Sequence, residues 1–375
     1  VRLHSGWARL LVLSFVGAIL VPGAVLLSGG EGAAPAENRT LAPPPTFALD
    51  AATLRAWPAA ASRYFADHFG LRGPLVRWQA TMRLRLFGVS ASPDVILGRD
   101  GWLFYAGDGG REDLASAVPL TDAELRVWCA TLQHTSDWLR ARGITYLFVI
   151  APDKHVIYPE YLPASVRRVG AETRIDALVR DLRAHTTVPV LDLRPGLLAA
   201  KASERVYHRT DTHWNDRGAF VAYREILGAL GPVAGSPAAR DAFTAPQRRM
   251  PGMDLARMLG LSAELPEDDL PLVPRQPRRA RVVEPAHPDP LLMDGRVVTV
   301  HDDTARPRAV VFRDSFGSAA IPFLAEHFSR AVFLWQYNMD PAVVEAERPQ
   351  VVIQEWVGRR LETLLPYDPF SGGQK

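Results

Sequence analysis

From Thr121 onward, short apolar runs alternate with longer amphipathic stretches, and this alternation restricts the fold more than any other feature. Residues 146–151 are apolar almost without a break, the pattern of a strand buried on both faces. Residues 188–193, 308–312, 331–335 and 351–354 read as further strands. Helical stretches separate them. One begins at Thr121, which forms a capping box with Glu124, and runs to about Arg142, where Gly143 ends it. Others cover 174–185, 215–230, 319–328 and 341–347. Strands separated by helices predict an α/β fold, a mainly parallel sheet flanked by helices.

The chain has 375 residues, 47% hydrophobic and 22% charged, enough to bury a full core. A formal net charge of +2 gives no general electrostatic case for nucleic acid. Cys129 is the only cysteine, so no intrachain disulfide can form, and in its helical context it reads as a small buried apolar residue.

Residues 10–27 form one apolar stretch, preceded by Arg2, His4 and Arg9. A bilayer core requires roughly 20 residues of helix, and the basic flank favours a cytoplasmic N-terminus. Residues 1–28 therefore read as a cytoplasmic N-terminus with an N-terminal transmembrane helix acting as signal anchor. A cleaved signal peptide is the competing reading, through Ala34-Pro35-Ala36, although Pro22 and Gly23 interrupt the run. Either way the bulk of the chain is exported.

Residues 29–49 read as a Gly-, Ala- and Pro-rich linker, in which the sequon at Asn38 is taken as chance. Residues 50–375 form the folded domain. Within it, 50–87 is helical in pattern, and 95–105 reads as a hairpin turning at Asp100-Gly101. Residues 231–306 are proline-rich and read as an irregular surface insertion. Their acidic Glu267-Asp268-Asp269 and basic Arg278-Arg279-Ala280-Arg281 runs are taken as solvated faces.

Two short segments carry residue types for nucleophilic chemistry. Ser315 follows an apolar strand and precedes a helix, the place where an α/β sheet exposes a hydroxyl beyond its carboxyl edge. Asp211 and His213 stand two apart just before a helix, so the carboxylate can orient an imidazole that takes the serine proton. Each segment alone is equally consistent with capping and packing. Asp314 is expected to hold the turn through backbone amides, and Ser318 is the fallback nucleophile. Lys154 in Pro152-Asp153-Lys154-His155 can contact an anionic sugar, and Gln336, Tyr337 and Asn338 follow a strand where an oxyanion donor can sit. His208, Asp211 and His213 could ligate a metal, but three ligands within six residues and no HExxH helix make a poor cage. No metal or cofactor is expected.

At these residues the chain resembles the alginate O-acetyltransferase group of the SGNH hydrolase superfamily, the AlgJ and AlgX type. The resemblance rests on Glu37-Asn38-Arg39, Asp67-His68-Phe69-Gly70-Leu71-Arg72, Gly101-Trp102-Leu103-Phe104, Ala151-Pro152-Asp153-Lys154 with Tyr158-Pro159-Glu160, Asp211-Thr212-His213-Trp214 and Arg313-Asp314-Ser315-Phe316, in that order. It implies an SGNH-hydrolase-like fold with Ser315 as nucleophile, His213 as base and Asp211 as orienting carboxylate. The serine follows the Asp/His motif, the reverse of common SGNH enzymes and similar to the rearranged order of this group. The usual glycine two residues before the serine is Arg313, which draws attention to the local turn and its oxyanion contacts. The resemblance further implies a periplasmic enzyme, anchored to the inner membrane, that O-acetylates an exopolysaccharide with acetyl groups supplied by a membrane-bound O-acyltransferase. An SGNH-type carbohydrate acetylesterase and an inactive scaffold of an export complex are the alternatives. The last strand–helix unit ends near Leu365, so the carbohydrate-binding module of AlgX relatives is not expected here.

Overall fold

The computed structural model describes residues 5–28, 41–170, 172–284 and 295–370. Ala34-Pro35-Ala36, the sequon at Asn38 and residues 29–40 of the linker lie outside the described residues. The chain divides into two compact units, Val1–Val95 with Gly252–Leu265, and Ile96–Pro251 with Pro266–Lys375.

The first unit contains helices Ser5–Leu27, Ala51–His68 and Arg72–Phe87. Asp50 caps the second of these, its Oδ1 accepting from the amides of Ala52 and Thr53 at 3.1 and 2.8 Å. Leu71, at φ 68°, breaks the chain between the second and third. The helix Ser5–Leu27 continues through Pro22. Its segment Gly6–Val25 has a mean hydropathy of 2.1 and is long and apolar enough to cross a membrane, a property that a signal sequence shares.

The second unit is built on a seven-stranded sheet. In chain order its strands are β1 (Thr145–Ala151), β2 (Val190–Asp192), β3 (Ala280–Glu284), β4 (Arg296–His301), β5 (Arg308–Arg313), β6 (Arg330–Trp335) and β7 (Val351–Val357). Their spatial order is β2-β1-β7-β5-β6-β4-β3. From β2 to β6 all pairings are parallel, and β4 runs antiparallel to both β6 and β3.

Side chains alternate across this sheet and build two cores. Leu147, Val149, Val311, Phe333 and Ile353 pack on one face with Phe220, Tyr223, Ile226 and Leu227 of the helix Asp216–Leu230. Phe148, Ile150, Val310, Phe312, Val352 and Trp356 pack on the other. There they meet Trp128 and Leu132 of Asp122–Arg140 and Leu178 and Leu182 of Arg174–His185. The expected sheet with helices on both faces is present. The Thr121–Glu124 capping box forms, and a second one joins Thr173 to Asp176. Val95–Leu97 and Leu103–Tyr105 make the expected hairpin, with Asp100 at φ 53° and Gly101 at φ 77°.

Two expectations need correction. The segment 231–306 is not wholly outside the sheet, because it supplies β3 and β4. β3 is an edge strand with one face in solvent, so its arginines and short length hide the strand pattern. The single helix expected at 319–328 is instead Ser315–Ser318, Ile321–Leu324 and a 3₁₀ turn, Ala325–His327, with Pro322 at the start of the second piece.

Candidate active site

β5 ends at the carboxyl edge of the parallel block, and Asp314 turns the chain into the helix Ser315–Ser318. Asp314 is buried and caps that helix, its Oδ1 accepting from Phe316 N at 2.8 Å. Its Oδ2 accepts from Val357 N at 3.0 Å, which ties the turn to the end of β7. Asp314 thus holds the turn through backbone amides, as its position suggests. Ser315 is half-buried at this turn, while Phe316 is fully enclosed.

The Asp/His segment is a loop closed by an antiparallel bridge between Tyr207 and Trp214. Asn215 caps the helix that follows, accepting from Arg217 N and Gly218 N at 3.0 and 3.1 Å. Gly218 is required there, since a Cβ would lie 2.2 Å from the Val206 carbonyl oxygen. Asp211 is buried, and its Oδ1 accepts from His213 N at 2.9 Å and lies 2.7 Å from His213 Nδ1. This contact assigns the proton on the ring to Nδ1 and directs basicity to Nε2. Burial alone would raise the Asp211 pKa. The hydrogen bond and charge of His213, aided by His208, overcome it and hold the carboxyl far below the usual range.

The two segments meet through Phe316. Its ring centroid lies 4.9 Å from that of His213 and 5.0 Å from that of Trp214. Ser315, the preceding residue, therefore stands at the same edge as the Asp211–His213 pair. An imidazole oriented by a buried carboxylate, on a loop that packs against the residue after Ser315, has the form of a general base for acyl transfer or ester hydrolysis.

The remaining sequence candidates take varied places. Lys154 is buried, and its Nζ donates to the carbonyl oxygens of His208, Arg209 and Asp211 at 3.1, 3.1 and 2.6 Å. It clamps the Asp/His loop from within. Arg313 is fully buried, and its Nη1 donates to Asp314 O at 3.1 Å and to Ser318 Oγ at 2.7 Å. Its guanidinium lies 5.0 Å from the Trp335 ring centroid. Gln336 Nε2 donates to Asn338 O at 2.9 Å, and Asn338 Oδ1 accepts from Tyr367 N at 2.9 Å. The Tyr337 carbonyl accepts from Gln354 Nε2 at 2.7 Å and Trp356 Nε1 at 3.0 Å. Burial pushes the Tyr337 phenol up, with the charges of Asp314 and Glu355 acting in the same direction.

Three residues at the site escape a reading of the sequence alone. Glu267 belongs to an acidic run that reads as a solvated face, yet it is fully buried. Its Oε2 accepts from Thr210 N and Thr210 Oγ1 at 2.7 and 2.8 Å, and its Oε1 pairs with Arg205 at 3.0 Å. The remaining carboxylates of that run pair with Arg209, Arg249 and Arg248, so it is a bonded edge and not a solvated face. Glu355 is buried under the serine turn, with Oε2 accepting from Asp314 N at 3.0 Å. Burial, reinforced by Asp314, pushes its pKa well above the usual carboxyl range. A carboxyl inside the apolar run 351–357 was the signal for it. Arg359 is buried against Asp153, with Nη1–Oδ1 at 2.5 Å, and its guanidinium lies 5.5 Å from the Phe316 ring centroid.

Comparison with known proteins agrees with this architecture. The family profile described as SGNH hydrolase-like domain, acetyltransferase AlgX, matches residues 95–333, which include Asp211, His213 and Ser315. A relative from Pseudomonas syringae pv. tomato, named "Probable alginate O-acetylase AlgJ", is 29% identical over 188 residues, 48% of this chain and 45% of that protein. The protein of the same name from Pseudomonas putida is 33% identical over 172 residues, 44% of this chain and 41% of that protein. The chain thus spans under half the length of these curated relatives. Among solved structures, Bacillus cereus PatB1 superposes with a TM-score of 0.53 at 17% identity, covering 72% of this chain and 97% of that one. The fold is SGNH-hydrolase-like.

Proposed function

This chain belongs to the SGNH hydrolase-like, AlgX-type acetyltransferase family, and on that premise we propose that it transfers acetyl groups to hydroxyls of an exopolysaccharide through an acetyl-serine at Ser315. The observation that carries the proposal is the Asp211–His213 hydrogen bond beside the Ser315-Phe316 turn. His213 Nε2 takes the Ser315 Oγ proton as the oxygen attacks the acetyl carbonyl. The same nitrogen then returns that proton to the departing donor oxygen. A sugar hydroxyl next gives its proton to Nε2 and attacks the acetyl-serine, which restores the serine. Asp211 holds the ring and stabilises its cationic form, and its very low pKa keeps it ionised throughout.

The names of the AlgJ relatives support a polysaccharide acceptor and alginate-like chemistry. The apolar helix Ser5–Leu27 supports export, with the sheet-bearing unit on the periplasmic side of the inner membrane. A membrane-bound O-acyltransferase is the acetyl source this arrangement would use.

Incubation of the protein with an activated acetyl ester and acetyl-free oligosaccharides, followed by mass spectrometry of the sugars, tests the reading. Acetylated sugar is expected with the native chain, and Ser315→Ala should lower transfer by at least about a thousandfold. Release of acetate without sugar acetylation would contradict transferase activity and indicate an esterase. Undiminished transfer by Ser315→Ala would remove the serine from the mechanism.

A further inference from the structure

An open cavity of about 440 Å³ is lined by the helix Asp216–Leu230, the pieces Ile321–Leu324 and Ala325–His327, and the loop 274–279. Its size falls in the range of roughly 300–1,000 Å³ typical of small-molecule sites. It lies away from the reacting serine. β5 and β6 are parallel, and Arg330 pairs with Arg308 at their amino ends. Glu326 and His327, just before β6, therefore stand at the opposite edge of the sheet from Ser315. The six residues of β5, at about 3.3 Å each, put roughly 15–20 Å between them.

The floor is aromatic, and its polar atoms are already bonded within the protein. Tyr223, Phe243 and Phe323 are buried, and both other ring centroids lie 5.6 Å from that of Phe323. Ala238 N donates to the Tyr223 hydroxyl at 2.7 Å, which leaves that hydroxyl to donate to His327 Nε2, also at 2.7 Å. His327 Nδ1 then donates to Ala234 O at 2.9 Å. The one carboxylate of the cavity, Glu326, accepts from Arg279 N at 3.2 Å and Ala280 N at 2.9 Å. A ligand entering here meets ring surface, not free hydrogen-bonding groups.

The rim is cationic. Arg275, Arg278 and Arg279 stand there, and among the described residues none of the three forms an ion pair. Two are held in place without a carboxylate. Arg275 Nε donates to Asp241 O at 2.9 Å, and its backbone N to Ala242 O at 2.9 Å. Arg278 Nη1 donates to Pro322 O, and its guanidinium lies 5.2 Å from the Phe323 ring centroid. Burial pulls the Arg278 guanidinium below its ordinary value, while Glu326 and Asp216 act against that from a distance. Positioned guanidinium groups over a floor of rings suit a ligand with an aromatic body and a carboxylate head.

We propose that this cavity is a second ligand site, remote from Ser315, that takes a small aromatic carboxylate, its ring against Phe243, Phe323 and Tyr223 and its carboxylate on Arg275, Arg278 and Arg279. The site does not depend on the acetyl-transfer reading, because none of its residues reaches the serine.

The full chain, held in nanodiscs of neutral lipid so that no detergent fills the cavity, would be titrated calorimetrically with 3-phenylpropionate, its neutral amide 3-phenylpropanamide, and acetate. The aromatic acid should bind with an affinity that falls as salt rises. The amide, which keeps the ring, and acetate, which keeps the charge, should each bind at least about tenfold more weakly. Arg275→Gln with Arg279→Gln, both at exposed positions, should weaken the acid by about tenfold or more and leave the amide unchanged. Ala242→Trp, at an exposed position on the cavity wall, should fill the space and abolish binding of both. No binding of the acid by the native chain would overturn the site. So would equal binding of the amide or of acetate, undiminished binding by the double arginine variant, or binding that survives Ala242→Trp.

Discussion

The loop that carries His213 and the turn that carries Ser315 meet at one edge of the sheet but are held in opposite ways. The loop depends on charges from distant parts of the chain. Lys154 binds three of its carbonyls from inside, and Glu267, more than fifty residues downstream, binds the amide and hydroxyl of Thr210. The serine turn is held by residues of its own sheet. Asp314 caps the helix and accepts from Val357 N, while Glu355 of the adjacent strand accepts from Asp314 N. A strand-to-helix turn satisfies its backbone locally, whereas an irregular loop buried at its base must import partners.

This contrast predicts that the His213 loop is the more fragile half. Glu267→Ala removes the buried acceptor of the Thr210 amide and hydroxyl and the carboxylate partner of the half-buried Arg205, and should cost about 3–5 kcal/mol in urea unfolding. A loss under about 1 kcal/mol would mean the loop does not depend on this anchor. Lys154→Met keeps the volume between Trp102 and Phe104 but removes three donors. Here a loss of about 2–3 kcal/mol is expected, since removing a desolvated charge offsets part of the missing hydrogen bonds. Acetyl transfer should fall with it, because Asp211 loses the support of its backbone. Full activity at unchanged stability would show that the clamp is dispensable.

The smallest effect is one of sign. Asp211 has a depressed pKa in the folded chain, so its contribution is present above its unfolded value of about 3.9 and is lost as pH falls through its folded value. Glu355 has a raised pKa, so its contribution is complete below about 4.3 and is lost as pH rises through its folded value. Acid therefore weakens the loop, and rising pH weakens the serine turn. Glu355→Gln keeps a neutral side chain of the same shape, and should lose less stability than the native chain between pH 5 and pH 8. Identical losses in the two proteins, measured by denaturant midpoint at each pH, would deny Glu355 that part.

Much of this arrangement is legible in the sequence where the pattern is local. The parallel strands follow from uninterrupted apolar runs, and the helix starts from Thr121 and Glu124. Ser315 stands out because a serine after such a run lies at the carboxyl edge of a sheet. What remains illegible depends on partners far away in the chain. Glu267 sits among acids that look solvated until Thr210 and Arg205 are seen around it. Lys154 follows a strand as a surface cation would, and its burial shows only once the Asp/His loop folds over it. β3 is hidden because an edge strand has to satisfy only one apolar face.

The central claim is that Ser315 becomes acetylated with His213 as its base. Brief exposure to an activated acetyl ester, acid quenching, and peptide mapping by mass spectrometry measure this directly. The account predicts an acetyl group on the peptide carrying Ser315 in the native chain, its absence in Ser315→Ala, and formation at least about a hundredfold slower in His213→Ala. Acetylation that maps elsewhere, or that forms at the native rate without His213, would contradict it.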